Sequence, residues 1–375
     1  MLDARGRGGR VGDGWSKGRR GVKKVQDRRP ARLNLGLLRW LLAPLWAAEI
    51  FTAAKSFKFN PILGSERLNR AGLHSWRSTL AHWMAWRRRE RLAGLVSAEN
   101  REAFDRDGFV ARRDFLPPAL FAALKAEVEG FHGEAQEMLE GDAVTRHIAL
   151  TPETLGRLPA CRALLDLPEW RGLTSYVASF DQEPVSFIQT IFSHVASAGA
   201  DPQTTLHMDT FHPTMKAWLF LEEVTDGPVT YVPGSHRPTK RRLAWERAGS
   251  VRASSPGAKA RGGAFRIERG MLRRLGYPAP VAFTVPANTL VVADTYGFHA
   301  RGESLAPTAR IEIWAYSRPN PFAPWAFDPW PAPLRRRQAG VQQALIGWAR
   351  RLGLDRTARR SVEVASPASP PEPWS

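Results

Sequence analysis

Short apolar runs recur through the middle of the chain, each bounded by Gly, Pro, Asn or Asp. VSFIQTIFS (Val185 to Ser193), MKAWLFLEEV (from Met215) and RIEIWAYS (from Arg310) are rich in β-branched and aromatic residues. That composition suits strands lying on a pleated, half-buried surface. DGPVTYVPGSH (Asp226 to His236) reads as a turn, a short strand and a second turn, and TLVVADTYGF is one more strand. Short strands punctuated by Gly/Pro turns predict a β-sandwich or barrel of the jelly-roll type with helices packed outside it. The class is mixed α/β with a mainly β core.

Helical spacing appears on either side of this region. Pro117 and Pro118 open a helix whose apolar stripe is Leu120, Phe121, Leu124 and Val128. Residues 150–179 hold further helical segments, with Arg146 and His147 placed among them as surface groups or substrate contacts at the mouth of a site. Residues 55–98 read as helical and basic after a loop, KSFKFNPILGS. Trp76, Leu80 and Trp83 recur there at helical spacing, followed by Arg87, Arg88 and Arg89. The implied organisation is a basic disordered tail (1–31), a helical segment (32–98) and a jelly-roll domain (99–321) with a basic insert (238–280). A Pro/Trp linker with a basic amphipathic helix (322–360) and a disordered tail (361–375) follow.

The chain of 375 residues carries 54 Lys and Arg against 36 Asp and Glu, a formal net charge of +18. Such a balance attracts anionic surfaces: membranes, nucleic acid or phosphorylated substrates. The insert has eleven basic residues against two acidic ones between 238 and 280. It reads either as a solvated loop or as a lid favouring anionic substrates. A single cysteine, Cys161, excludes an internal disulfide framework and a cysteine-based zinc site. It fits a reducing compartment, hence a cytoplasmic protein, with peripheral attachment to the inner face of a membrane as the added expectation. Leu33 to Phe51 is apolar but interrupted by Arg39, Pro44 and Glu49, so it reads as an interfacial helix or as a helix packed on the main domain, not as a span. The basic helix carrying Val341, Ala344, Leu345, Trp348 and Leu352 on one face would supply a second membrane contact. No nucleic-acid recognition motif is present.

The chemistry centres on TLHMDTF, Thr205 to Phe211. On an extended chain His207 and Asp209 point to one side and Met208 to the other. His299, which follows the apolar strand TLVVADTYGF, is the candidate third ligand. Two imidazoles and one carboxylate form the facial triad of non-haem Fe(II) oxygenases. Arg310, one strand further on, can pair with the distal carboxylate of 2-oxoglutarate.

His207-Met208-Asp209, the Asp226–His236 block, His299 and Arg310 together resemble the phytanoyl-CoA dioxygenase family of Fe(II)/2-oxoglutarate oxygenases, as does RDGFVARRDFLPPALFAALKAEVEGF upstream. The resemblance runs from about Arg106 to Pro321, with Asp226 standing where that family's turn more often has Asn. It implies a double-stranded β-helix (jelly roll) using Fe(II) and 2-oxoglutarate, with His207, Asp209 and His299 as metal ligands. The implied reaction hydroxylates an aliphatic C–H and releases succinate and CO2. The Asp209 carboxylate, which the related halogenases lack, favours hydroxylation over halogenation.

Gln189 and Trp218 are candidate contacts for the cosubstrate, each with a core role as the alternative. His212 is a candidate outer group beside the ligands, and His236 a brace for its turn. His74 and His82, isolated from acidic partners in sequence, carry no function. The expected substrate is an anionic acyl or lipid-like molecule, free or carried on CoA or a carrier protein. The alternative is a catalytically silent, membrane-associated binding protein with the same fold.

Overall fold

A computed structural model describes residues 43–195, 199, 201–327, 337, 341, 348 and 359–373. Its strands are β1 (Phe109–Arg112), β2 (Gly133–Glu140), β3 (Ala143–Ala149), β4 (Val185–Phe192), β5 (Met215–Phe220), β6 (Val229–Tyr231), β7 (Val281–Ala282), β8 (Thr289–Asp294), β9 (His299–Arg301), β10 (Ala309–Ser317) and β11 (Arg359–Val364). Eight of them form a sheet in the order β1-β8-β5-β10-β4-β3-β2-β11, and β7-β6-β9 form a smaller one. All these pairings are antiparallel. The helices are α1 (Glu66–Ala71), α2 (Leu73–Leu92), α3 (Ala98–Asp107), α4 (Pro118–Glu129), α5 (Pro152–Arg157), α6 (Pro159–Asp166), α7 (Pro168–Ala178), α8 (Lys240–Ser254) and α9 (Arg269–Leu275). This is the jelly-roll architecture with flanking helices.

Period-two alternation explains the layering. On β5, Met215, Ala217 and Leu219 join the core shared with the helices, including Leu124, Leu164 and Trp170. The residues between them, Lys216 and Trp218, line a cavity on the opposite face. On β10, Ile311, Ile313 and Ala315 face the helices, whereas Arg310, Trp314 and Tyr316 face the cavity. Ile188 of β4 packs with the helices and Phe187 and Gln189 face the cavity. One face of the large sheet is therefore a structural core, and the other is free to carry chemistry.

Several expectations from sequence are corrected. Arg146 and His147 do not lie among helices but on β3. Arg146 is buried against Glu137 of β2, and His147 turns into the cavity. The insert is neither a flexible loop nor a lid: α8 packs on α1 and α2. Its Arg242 is fully buried, bonding Glu246 at 2.7 Å, Ser235 O at 3.0 Å and Tyr296 O at 2.9 Å. A buried guanidinium needs that many acceptors, because an unpaired one would carry a large desolvation penalty. Residues 361–373 are not a disordered tail: β11 extends the sheet beside β2, and Arg146 donates to Pro367 O and Ser369 O. His74 is not isolated in space, since its Nε2 lies 3.3 Å from Glu246.

The 1–31 tail lies outside the described residues, as does Leu33 to Leu42 of the apolar segment and most of the helix around Val341. The rest of the apolar segment is helical from 43 to 48 and ends in a 3-10 turn, Glu49–Phe51. Among the described residues no helix is long and apolar enough to cross a membrane.

Burial holds His82 and His147 down to about 4 and His212 to about 3, so all three are neutral in the folded protein near neutral pH. The unfolded chain, with imidazoles near 6.5, binds more protons below that pH, and stability falls as pH drops. Thermal denaturation should show Tm declining steadily from pH 7 to pH 5, with each histidine contributing up to roughly 1.4 kcal/mol per pH unit in that window. A flat profile would contradict burial of these rings.

Candidate metal centre

Residues 205–211 form an extended segment, not a regular strand, held on both sides. His207 bridges Arg266 on one side and His299 on the other. The second bridge is reciprocal: His207 N–H donates to His299 O and His299 N–H to His207 O, each at 3.0 Å. Side chains of residues directly opposed in an antiparallel pair share a face, and the two rings lie 4.6 Å apart between centroids. Asp209 N–H donates to Thr295 O at 3.0 Å, which fixes the carboxylate two residues on. Met208 points away into a second core with Phe265, Tyr296 and Phe298.

His299 follows β8 through a tight turn, 295–298. Asp294 closes that turn by accepting from Thr214 N at 3.1 Å and Tyr296 N at 3.0 Å. A Cβ at Gly297 would stand 1.9 Å from Tyr231 Oη, so the turn admits no side chain there.

Ligand atoms of His207, Asp209 and His299 all lie within 4.8 Å of one another, and all three residues are buried. Their chemistry fits a metal. His207 Nδ1–H donates to Thr205 O at 2.8 Å and His299 Nδ1–H to Gly297 O at 3.0 Å. Each bond fixes the tautomer, leaving Nε2 as the lone-pair donor facing the carboxylate. Burial lowers both imidazoles, His299 to about 3 with Lys216 adding to the effect. Burial would raise Asp209, but Lys216, His299 and Arg318 outweigh it and hold the carboxyl well below its usual range. Neutral imidazoles and an ionised carboxylate are the protonation states that metal binding requires.

Three cations converge on Asp209. Lys216 Nζ lies 2.8 Å and Arg318 Nη2 3.1 Å from its Oδ2, and Lys55 Nζ donates to its backbone oxygen at 2.5 Å. Lys216 also lies 3.4 Å from His299 Nε2, touching two members of the ligand set. Sequence reasoning missed both lysines. Lys216 was legible as a charged residue interrupting a buried strand, whereas Lys55 reaches the site from 154 residues away.

Arg310 opens on the same cavity. Its Nε pairs with Glu312 at 3.1 Å and its Nη1 with Gly227 O, while buried Nη2 has no partner among the described residues. One side of the guanidinium is thus anchored, and an unsatisfied donor is turned to a missing acceptor. Glu312 also accepts from Gln189, whose Oε1 takes the Nε2–H of His147 at 2.6 Å. Trp218 lies opposite Trp314 in the β5–β10 register and lines the cavity. His212 instead spends its Nδ1–H on Pro213 O at 2.9 Å. His236 packs against Phe104, beside Gly108, outside the cluster.

A jelly roll that brings two neutral imidazoles and an ionised carboxylate together, beside a half-anchored arginine, is the scaffold of the iron- and 2-oxoglutarate-dependent oxygenases. The protein is an enzyme of that class. Residues 104–253 match the model of phytanoyl-CoA dioxygenase (PhyH). That match includes His207 and Asp209 but stops short of His299 and Arg310, which the fold returns to them. Among solved structures, the chain is similar to the non-haem α-ketoglutarate-dependent epimerase SnoN from nogalamycin biosynthesis (18% identity, 61% of this chain and 86% of that one, TM-score 0.39). It is also similar to AviO1 from Streptomyces viridochromogenes Tue57 (20%, 60% and 96%, 0.34) and to HygX from Streptomyces hygroscopicus with nickel and 2-oxoglutarate bound (15%, 59% and 86%, 0.35). At this distance the three add nothing to the assignment. No curated protein matches the chain in sequence.

The Lys216 ammonium and a metal ion compete for the same carboxylate. Calorimetric titration with Mn(II) or Co(II) should show Lys216→Met binding more tightly than the wild type, by about tenfold for a charge-assisted contact of ~1.5 kcal/mol. His207→Ala or His299→Ala should weaken binding by more than the ~10–100-fold typical of losing an outer partner. Unchanged affinity in either histidine variant would show that the cluster is not the metal centre.

Proposed function

We propose that the protein hydroxylates an aliphatic C–H of an anionic acyl or lipid-like substrate and releases succinate and CO2. The observation that carries the substrate class is the excess of positive charge at the ligand set: Lys216 and Arg318 pair with the Asp209 carboxylate and Lys55 with its backbone oxygen. A divalent ion adds to that excess, so an incoming anion is favoured there by charge alone. The adjoining cavity of about 790 Å³ is large enough for an extended molecule, and its far wall is aromatic. His147 stacks on Trp314 (5.1 Å, 6°) and Phe187 on Tyr316 (6.4 Å, 3°). Aromatic faces of this kind take up the apolar part of a substrate and displace water from it.

In this reading His207, Asp209 and His299 hold the iron through two imidazole nitrogens and a carboxylate. Arg310 Nη2 would donate to the distal carboxylate of 2-oxoglutarate while Glu312 and Gly227 fix the rest of the guanidinium, and Trp218 and Gln189 would contact the cosubstrate. When bound, iron and 2-oxoglutarate supply O2 activation coupled to decarboxylation. Arg318, half-exposed at the rim, receives the anionic group of the substrate first. Lys216, deeper on β5, then orients it, and the aromatic wall aligns the apolar portion with the metal face.

Succinate release should require both Fe(II) and 2-oxoglutarate and disappear in Asp209→Ala. Arg310→Ala should raise KM for 2-oxoglutarate by about 10- to 100-fold, matching the ~1.5–3 kcal/mol of one charged hydrogen bond. Comparing lipid and metabolite masses in cells with and without the protein should reveal an anionic acyl product heavier by one oxygen atom. Full activity in Asp209→Ala would overturn the reading. Ligand binding indifferent to iron and 2-oxoglutarate would point to a silent binding protein instead.

A further inference from the structure

Helix α2 buries one face and leaves the opposite one bare. Its inner positions include His74, Arg77, Ala81, Ala85 and Arg88. On the outer side Trp76, Trp83 and Trp86 are 47%, 56% and 53% exposed. At 3.6 residues per turn these three fall within about 80° of arc, with half-buried Leu80 and Met84 beside them. Tryptophan is mostly buried in folded proteins, so three on one solvent face form a patch and not scattered exposure.

The patch continues beyond the helix. Phe51, itself half-exposed, meets the Trp76 ring edge-on at 5.9 Å and Phe322 at 5.9 Å. Arg91 donates to Pro324 O at 3.4 Å, which brings the exposed Trp325 alongside. Arg87 and Arg91 are exposed in the last turns of the helix, and Glu90 is paired with Arg87 at 3.7 Å.

We propose that this tryptophan face docks on an anionic lipid bilayer, with α2 lying in the plane of the headgroups. Indole rings prefer the boundary between hydrocarbon and water, where the ring is buried and the N–H is hydrated. Flanking arginines add attraction to anionic headgroups. Charge separates this occupant from the others. A second copy brings the same net +18, and residues 1–42 of this chain carry twelve Lys and Arg against three Asp and Glu. Both have the wrong sign for a surface edged by arginine. Single-stranded nucleic acid calls for a basic groove lined with stacking platforms, whereas this is the convex outer face of a helix with Leu80 and Met84 flanking its rings.

The face also borders the site. Arg77, on the inner side of α2, lies 4.1 Å from the Phe211 ring, two residues from Asp209. Docking would hold the metal centre near the bilayer, where a lipid-like substrate resides. That purpose rests on the proposed function, but the docking itself does not.

The test is co-sedimentation of the full-length chain with phosphatidylcholine vesicles, with and without phosphatidylglycerol. The wild type should bind the anionic vesicles. The Trp76→Ser, Trp83→Ser, Trp86→Ser triple variant should lose at least about tenfold in bound fraction, with Tm and Fe(II)-dependent succinate release unchanged. Leu305→Ser, at an exposed position outside the patch, should bind like the wild type. Failure of the wild type to bind, or equal binding by the triple variant, would overturn the proposal. So would self-association, or salt-sensitive RNA binding, that the triple substitution removes while vesicles have no effect. Absence of succinate release from the wild type, with its vesicle binding intact, would count against the proposed reaction and leave the docking face standing.

Discussion

Two backbone hydrogen bonds hold the site together. His207 and His299 are 92 residues apart in sequence, and each donates its amide to the other's carbonyl at 3.0 Å. Because opposed residues of an antiparallel pair project to the same side, that exchange makes the imidazoles neighbours. The ring hydrogen bonds to Thr205 O and Gly297 O then aim the two Nε2 atoms. The surrounding structure protects the exchange. Gly297 lets the turn pass under Tyr231, Asp294 closes it, and buried Arg242 ties Tyr296 O to Ser235 O and Glu246. A register slip of one residue would turn His299 away and bring Ala300 in.

The parts legible in sequence are those where local pattern and tertiary environment agree. On β5 and β10 apolar residues alternate with larger or polar ones, because one face meets helices and the other a cavity. Period-two reading therefore finds both strands and places Lys216, Trp218 and Arg310 on one side. Strand β2 fails the same reading for a physical reason. GEAQEMLE is built from good helix formers, and its extended form comes from pairing with β3 and with β11, more than two hundred residues downstream. Without those partners Arg146 looks like a surface residue, when in fact it is sealed against Glu137. The 238–280 insert misleads in the opposite way. Its charge suggests solvent, but Arg242 and Glu246 are a buried pair that neutralises itself. Composition records charges; it does not record which ones meet.

The electrostatic design follows from that distinction. Several buried arginines here meet a buried carboxylate, as in Arg146 with Glu137, Arg242 with Glu246 and Arg89 with Asp294. At Asp209 two cations, Lys216 and Arg318, share one carboxylate, and Lys55 adds a third positive charge at its backbone oxygen. Burial lowers Lys55 to about 8, with Arg318 adding to the shift, and burial also lowers Lys216. The surplus is therefore held against a desolvation penalty. Positive charge held at a cavity wall against that penalty is the kind of perturbation that clusters at functional sites.

Lys55 also shows why the N-terminal helical segment is part of the site and not an appendage to it. Arg77 of α2 donates to Ile50 O at 2.8 Å, Thr52 O at 2.9 Å and Ala54 O at 2.8 Å. Its guanidinium also stacks on Phe211 at 4.1 Å. One buried side chain thereby fixes the course of residues 50–54, and Lys55 follows directly into contact with Asp209. Phe51 and Phe322 pack together on the outer side of the same junction, and Phe322 in turn stacks on Phe211 at 6.2 Å. A displacement of α2 would move Lys55 and the Phe211–Phe322 wall together, since Arg77 bonds one and stacks on the other. The surface that carries the tryptophans is thus joined to the segment bearing Asp209 by contacting rings, Trp76 to Phe51, Phe51 to Phe322 and Phe322 to Phe211, and close packing couples a shift at one end to the other.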